Sequence, residues 1–255
     1  MIQSAIAGAE RVFEVLEEKS AFEEELNLKK VTEIKGEVIL DSVNFGYVKD
    51  KPVFKNMSIY AKQGETVAIV GPTGAGKTTI VNLLTRFYDI DGGNIYIDGE
   101  NIKTLEKKSL RTLLGIVLQD TYLFADTVRE NIRYGRINAT DKEVEAAAKM
   151  ANAEHFILQL QNGYDTMLSE DGSNISQGQK QLITIARAIL SDPAILILDE
   201  ATSSVDTRTE LHIQEAMLSL RKGRTSFVIA HRLSTIRDAE QIVVMNNGEI
   251  IENGT

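Results

Sequence analysis

The chain opens with Ile2, Ile6, Ala9, Val12, Phe13 and Leu16 at near-helical spacing, followed by the acidic stretches Glu17–Glu18 and Glu23–Glu25. That pattern predicts a short amphipathic helix running into a solvated linker, with an ordinary surface helix of the same domain as the alternative. From Glu37 the apolar positions alternate. VILDSVNFGY (38–47) and PVFKNMSIYA (52–61) read as strands, the second meeting TVAIVG (66–71) across the turn Lys62–Glu65, so an antiparallel layer opens the domain. GNIYIDG (93–99) and LLGIVLQD (113–120) read as further strands, and about Asp141 to Gln161 is Ala-rich with helical period. ILILDE (195–200) and TSFVIAH (225–231) are continuous apolar runs, as expected of strands covered on both faces of a parallel sheet. IVVM, Asn246–Asn247–Gly248 and EII predict a closing hairpin.

Composition narrows the function classes. The 255 residues, 43% hydrophobic and 25% charged, describe an ordinary globular chain large enough for a sizeable core. A net charge of -9 argues against nucleic-acid binding as the main activity, which needs Lys and Arg to displace phosphate counterions. No cysteine is present, so disulfides, thiolate nucleophiles and cysteine metal sites are excluded. No apolar run is long enough to cross a bilayer, and no basic segment leads into an apolar one at the N-terminus, so direct membrane insertion is not expected.

The run TVAIV leads into Gly71-Pro72-Thr73-Gly74-Ala75-Gly76-Lys77-Thr78-Thr79, which satisfies G-x-x-x-x-G-K-[ST] between a strand and an apolar helical run. Glycines let backbone N–H groups turn inward around phosphates, and the helix that follows presents its positive end to them. Lys77 is expected to reach the β- and γ-phosphates and the Thr78 hydroxyl to ligate Mg²⁺. The strand Ile195–Leu198 ends in Asp199-Glu200, where open α/β sheets place ligand chemistry. Asp199 suits Mg²⁺, held through water, and Glu200 suits a general base for the attacking water. Between these motifs lies Asn174-Ile175-Ser176-Gln177-Gly178-Gln179. Ser-x-x-Gln is a capping box for the following helix, and a capped helix start is also an anion site, so spacing leaves both readings open. Asp89–Gly93 has a calcium-loop look, but Gly93 falls where an oxygen ligand is required, and a hairpin turn is predicted instead.

Taken in order, the phosphate loop, Gln119, ISQGQ, ILILDE, SSVD and His231 resemble the ATP-binding cassette family over roughly residues 37–255. The resemblance implies an α/β fold: a P-loop, RecA-like core (37–121 and 185–255) with an N-terminal antiparallel β layer and an inserted α-helical signature subdomain (122–184). It implies ATP and Mg²⁺ as cofactors, bound by Gly71, Thr73, Gly74, Ala75, Gly76, Lys77, Thr78 and Thr79. It further implies that Tyr47 stacks on adenine, that Gln119 joins Thr78 and Asp199 at Mg²⁺ and links to a membrane domain, and that His231 contacts the γ-phosphate. Glu200, His231, Lys77 and Gln119 are thus the implied catalytic set. By the same resemblance Ser176, Gln177, Gly178 and Gln179 contact ATP held by a second cassette in a head-to-tail dimer, homo- or heterodimeric. Ser203-Ser204-Val205-Asp206 matches the loop at that seam, although helix capping is the local alternative for Asp206. ISQGQ departs from the commoner LSGGQ at Ile175 and Gln177.

Residues 3–16 resemble the segment joining the last transmembrane helix of exporter-type half-transporters to their cassette, and Glu170 in Leu168–Gly172 resembles an exporter-specific loop facing the membrane domain. Residues 1–36 are therefore expected to be the tail of a membrane domain plus linker. The expected function is an ATPase driving export from the cytoplasmic face of the cell membrane. The alternative is one cassette of a heterodimeric exporter in which one composite site binds ATP but hydrolyses it poorly. A soluble cassette in DNA repair or translation is disfavoured by residues 3–16.

Overall fold

The computed structural model describes residues 2–18, 28–118, 121–199, 205–230 and 233–254. Helix α1 (Ile2–Glu17) comes first, with its side chains exposed from Gln3 onward. Strands β1 (Val38–Phe45) and β2 (Phe54–Ala61) precede β3 (Thr66–Val70), α2 (Lys77–Leu84), β4 (Gly92–Ile97), β5 (Glu100–Asn101), α3 (Lys107–Thr112) and β6 (Leu114–Val117). A helical stretch follows: α4 (Val128–Arg133), α5 (Asp141–Met150), α6 (Glu154–Gln159) and α7 (Gln177–Ser191). The chain ends with β7 (Ile195–Asp199), α8 (Thr207–Arg221), β8 (Thr225–Ile229), α9 (Leu233–Arg237), β9 (Gln241–Asn246) and β10 (Glu249–Gly254).

The strands form two sheets. One is antiparallel in the order β2-β1-β4-β5; the other runs β10-β9-β3-β8-β7-β6, parallel except for β10. The tight turn at 62–65 therefore does not join a hairpin: β3 leaves β2 for the middle of the parallel sheet. The physical reason is burial. Thr66 to Ile69 are covered on both faces, whereas β2 alternates and needs only one covered face. Asp89–Gly93 likewise is not a hairpin turn but joins α2 to β4, whose Gly92 pairs with Asn44 of β1. The closing hairpin forms as expected, with Asn247 and Gly248 both at positive φ.

The parallel sheet divides two cores. Ile195, Ile197, Phe227 and Ile229 face the antiparallel layer with Leu40, Phe54, Ile59 and Ile80, while Leu196, Leu198 and Val228 face α4–α8 with Ile132, Ile183, Ile185 and Ile213. The period-2 alternation of each strand thus explains why both faces read as apolar. The predicted Ala-rich helix is two helices, broken where Asn152 takes φ 56 and its amide donates to the His212 carbonyl at 3.3 Å.

Candidate functional site

β3 delivers the chain to the phosphate loop at the carboxyl edge of the parallel sheet. Gly76 caps α2 at φ 100, and a Cβ there would lie 2.6 Å from the Phe54 ring, so the position needs glycine on two counts. Lys77 folds over the loop, its ammonium donating to the carbonyls of Gly71 at 2.7 Å and Pro72 at 3.0 Å. Thr73 and Gly74 are exposed at the tip, with Ala75 buried beneath them. Thr78 is exposed, while Thr79 is buried and accepts from the Tyr47 hydroxyl at 3.2 Å; the Asn82 amide donates to the same hydroxyl at 2.9 Å. Tyr47 meets Phe45 and Tyr88 edge-on at 4.9 and 5.0 Å and keeps 45% of its surface exposed beside the loop.

Ile69 of β3 and Asp199 of β7 both pair with Ile229 of β8. Asp199 therefore stands two strand spacings, about 10 Å, from the root of the phosphate loop and on the same sheet edge. Gln119, Glu200, Ser203, Ser204 and His231 lie outside the described residues. Among the described residues no group of three or more His, Cys, Asp or Glu could hold a metal by itself. Among the described residues, the Thr78 hydroxyl and the Asp199 carboxylate are oxygen donors of the kind a hard cation takes, a set that fits Mg²⁺ completed by phosphate and water.

The second motif is built from α7. Ser176 N–H donates to Gln179 Oε1 at 2.9 Å and Gln179 N–H to Ser176 Oγ at 3.3 Å, closing the reciprocal capping box. Gly178 is buried against the start of α8, where a Cβ would lie 2.4 Å from Thr209 Cγ2 and 2.9 Å from Val205 Cγ1. Gln177 turns toward its own chain and donates to Thr121 Oγ1 at 3.3 Å. Asp206 caps α8 through Thr209 N–H at 3.0 Å, which holds its carboxyl below the ordinary aspartate range. The local alternatives read from the sequence for Ser176 and Asp206 are both present.

Sequence reasoning missed a third feature. Tyr122, Phe124, Tyr134 and Ile137 form an exposed apolar patch, 57% and 76% exposed at Tyr122 and Ile137. It borders a groove of about 560 Å³ whose lining includes Lys108, Arg111 and Arg187 and, among the described residues, no carboxylate. Burial pushes the Arg187 guanidinium below the ordinary arginine value. These residues converge from separate segments, so only the sequence neighbours Tyr122 and Phe124 offered a signal.

A family model described as ABC transporter matches residues 54–203. The chain is 58% identical over 252 residues to an uncharacterized ABC transporter ATP-binding protein of Bacillus subtilis, covering 99% of this chain and 42% of that one. It is 56% identical over 254 residues to the fatty acid ABC transporter ATP-binding/permease protein of Mycobacterium tuberculosis, covering 99% and 40%. A solved structure of a bacterial Atm1-family ABC exporter with ATP bound matches at TM-score 0.85 and 42% identity, over 100% of this chain and 44% of that one. The chain belongs to the ABC transporter family and has the P-loop NTPase fold of its ATP-binding domain, matching exporter-type half-transporters. It spans less than half the length of these relatives.

Proposed function

We propose that the chain is the ATP-hydrolysing domain of an exporter and works as a head-to-tail pair, each ATP lying on the phosphate loop of one chain under Ser176–Gln179 of the other. The observation that carries this reading is the lateral offset between the two motifs. The phosphate loop rises from β3, whereas α7 packs over β6, three strands away in the sheet order, or about 14 Å. With 15 residues α7 is about 22 Å long against about 17 Å for the five-residue β7 that it precedes, so its N-terminus projects past the sheet edge. One γ-phosphate cannot bond Lys77 and Ser176 of the same chain across that offset. Two copies about a twofold axis set each motif opposite the other.

In this reading the Lys77 ammonium exchanges the carbonyls of Gly71 and Pro72 for β- and γ-phosphate oxygens. The N–H groups of residues 73–79 surround the phosphates, and the Tyr47 face takes the adenine. Thr78, Asp199 and Gln119 hold Mg²⁺, which when bound offsets charge on the phosphate oxygens. Glu200 orients the attacking water and accepts its proton, and His231 contacts the γ-phosphate. Asp206 lies at the seam.

Export and a membrane partner rest on the relatives, one of them named as a joined ATP-binding/permease protein of which this chain covers 40%. No helix among the described residues is long and apolar enough to cross a membrane. The apolar faces of α1 and of Tyr122, Phe124 and Tyr134 suit a covering membrane domain of the same polypeptide. Glu170 is exposed in a short 3₁₀ turn ahead of α7, and the proposed setting is the cytoplasmic face of the membrane. Sedimentation of the Glu200→Gln chain with MgATP tests the pairing. A nucleotide-dependent dimer is expected, and a monomer at saturating MgATP contradicts it.

A further inference from the structure

Arg187 lies on α7, eleven residues beyond Ser176, or about 17 Å along the helix. It forms no ion pair among the described residues. Its Nε donates to the Asn131 carbonyl at 2.9 Å, Nη2 to Asn131 Oδ1 at 3.2 Å and Nη1 to the Tyr122 carbonyl at 3.3 Å. The guanidinium also stands 5.6 Å from the Phe124 ring centroid and 5.3 Å from that of Tyr134. Asn131, itself buried on α4, holds the Phe124 N–H and the carbonyls of Phe124 and Thr127, so one side chain ties the loop ahead of α4 to that helix for Arg187 to grip.

Two further contacts extend the grip. Gly135, next to Tyr134, sits so close to α7 that a Cβ would lie 2.1 Å from the Arg187 carbonyl oxygen. Ten residues nearer the N-terminus of α7, Gln177 holds Thr121. A leucine or methionine at 187 would fill the space without desolvating a charge. What the planar fork adds is direction: three donated hydrogen bonds with fixed mutual geometry.

We propose that Arg187 is a positioning residue that fastens the aromatic patch of Tyr122, Phe124 and Tyr134 to helix α7, so that displacement of the patch is carried to Ser176–Gln179 instead of being absorbed between α4 and α7. The inference rests on the proposed function for its consequence, since Ser176 matters to turnover only if it closes on ATP. The fastening itself is a statement about this chain alone.

The chain has no cysteine, so spin labels placed at Ile137→Cys, in the patch, and Lys180→Cys, on α7 between Ser176 and Arg187 and partly exposed, report the fastening cleanly. Their distance distribution and the kcat and KM for MgATP are measured in the parent, in Arg187→Met and in Arg187→Lys, with thermal unfolding followed in parallel. In Arg187→Met the distribution is expected to broaden and kcat to fall roughly tenfold to hundredfold, as for a small misplacement remote from the chemistry, while KM, set by the phosphate loop and Tyr47, stays within about twofold. Arg187→Lys, which keeps the charge but not the fork, is expected to fall between and serves if the methionine variant does not fold. A narrow, unchanged distribution in both variants overturns the proposal, as does a lowered unfolding temperature with parental kcat in the folded fraction. If the parent chain hydrolyses no MgATP at any concentration, the proposed function fails, and the distance measurement still decides the fastening.

Discussion

The Lys77 ammonium donates to the Gly71 carbonyl at 2.7 Å, so the side chain meant for phosphate is held by the loop that carries it. Those carbonyls can be solvated by water if the lysine is removed. Lys77→Ala should therefore leave the unfolding temperature within a few degrees while weakening ATP binding about tenfold to hundredfold, the worth of one or two charge-assisted hydrogen bonds. Calorimetric titration with MgATP beside thermal unfolding separates the two effects, and equal loss of both would count against the assignment.

Ser176 has two roles that substitutions can divide. Ser176→Ala removes the α7 cap and should cost about 1 kcal/mol, or roughly 2–4 °C in unfolding midpoint. Ser176→Asp keeps an N-cap oxygen and should hold the midpoint near that of the parent, yet place a carboxylate against the γ-phosphate and lose turnover. A Ser176→Asp chain with parental activity would show that the capping box is all this serine does.

Gly178 is constrained by its neighbour across α8. Gly178→Ala should destabilise by about 1–3 kcal/mol through overpacking on Thr209 Cγ2. Adding Thr209→Ser removes that methyl and leaves the backbone N–H that Asp206 holds, so the double variant should recover much of the loss in denaturant titrations. No recovery would place the cause elsewhere.

Asp206 links stability to pH. Its carboxyl titrates below the ordinary aspartate range in the folded chain because it accepts the Thr209 N–H. The unfolded chain therefore binds this proton first as pH falls. The cap's contribution is complete above about pH 4 and is lost as pH drops through the depressed folded value. Asp206→Asn keeps a capping oxygen but cannot titrate, so it should flatten this part of the acid limb; an unchanged limb in urea titrations between about pH 2 and 5 would contradict the cap as its source.

The parts of the fold legible in the sequence are those fixed by short-range patterns. The phosphate loop, the capping box at Ser176 and Gln179 and the Asn247–Gly248 turn each lie within nine residues or fewer, and all appear where expected. The turn at 62–65 looked like a hairpin because turn chemistry does not record which sheet the next strand enters; continuous burial from Thr66 to Ile69 decides it. Glycine at 178 could be read as part of a motif, but its reason, contact with Thr209 and Val205, lies about 30 residues away. Arg187 was hidden for the same cause, since its partners at 122 and 131 precede it by more than 50 residues. Within the α7 sequence it is one more helix former.

The central claim is that one site is built from two chains, and a mixing experiment tests it most directly. Lys77→Ala and Ser176→Asp chains should each be nearly inactive alone. Mixed in equal amounts, they form a heterodimer in which the intact phosphate loop of one meets the intact signature of the other, restoring about one quarter of the parental ATPase rate for independent sites in a random twofold pairing. A mixture no more active than the sum of its components, under conditions where dimers form, would contradict it.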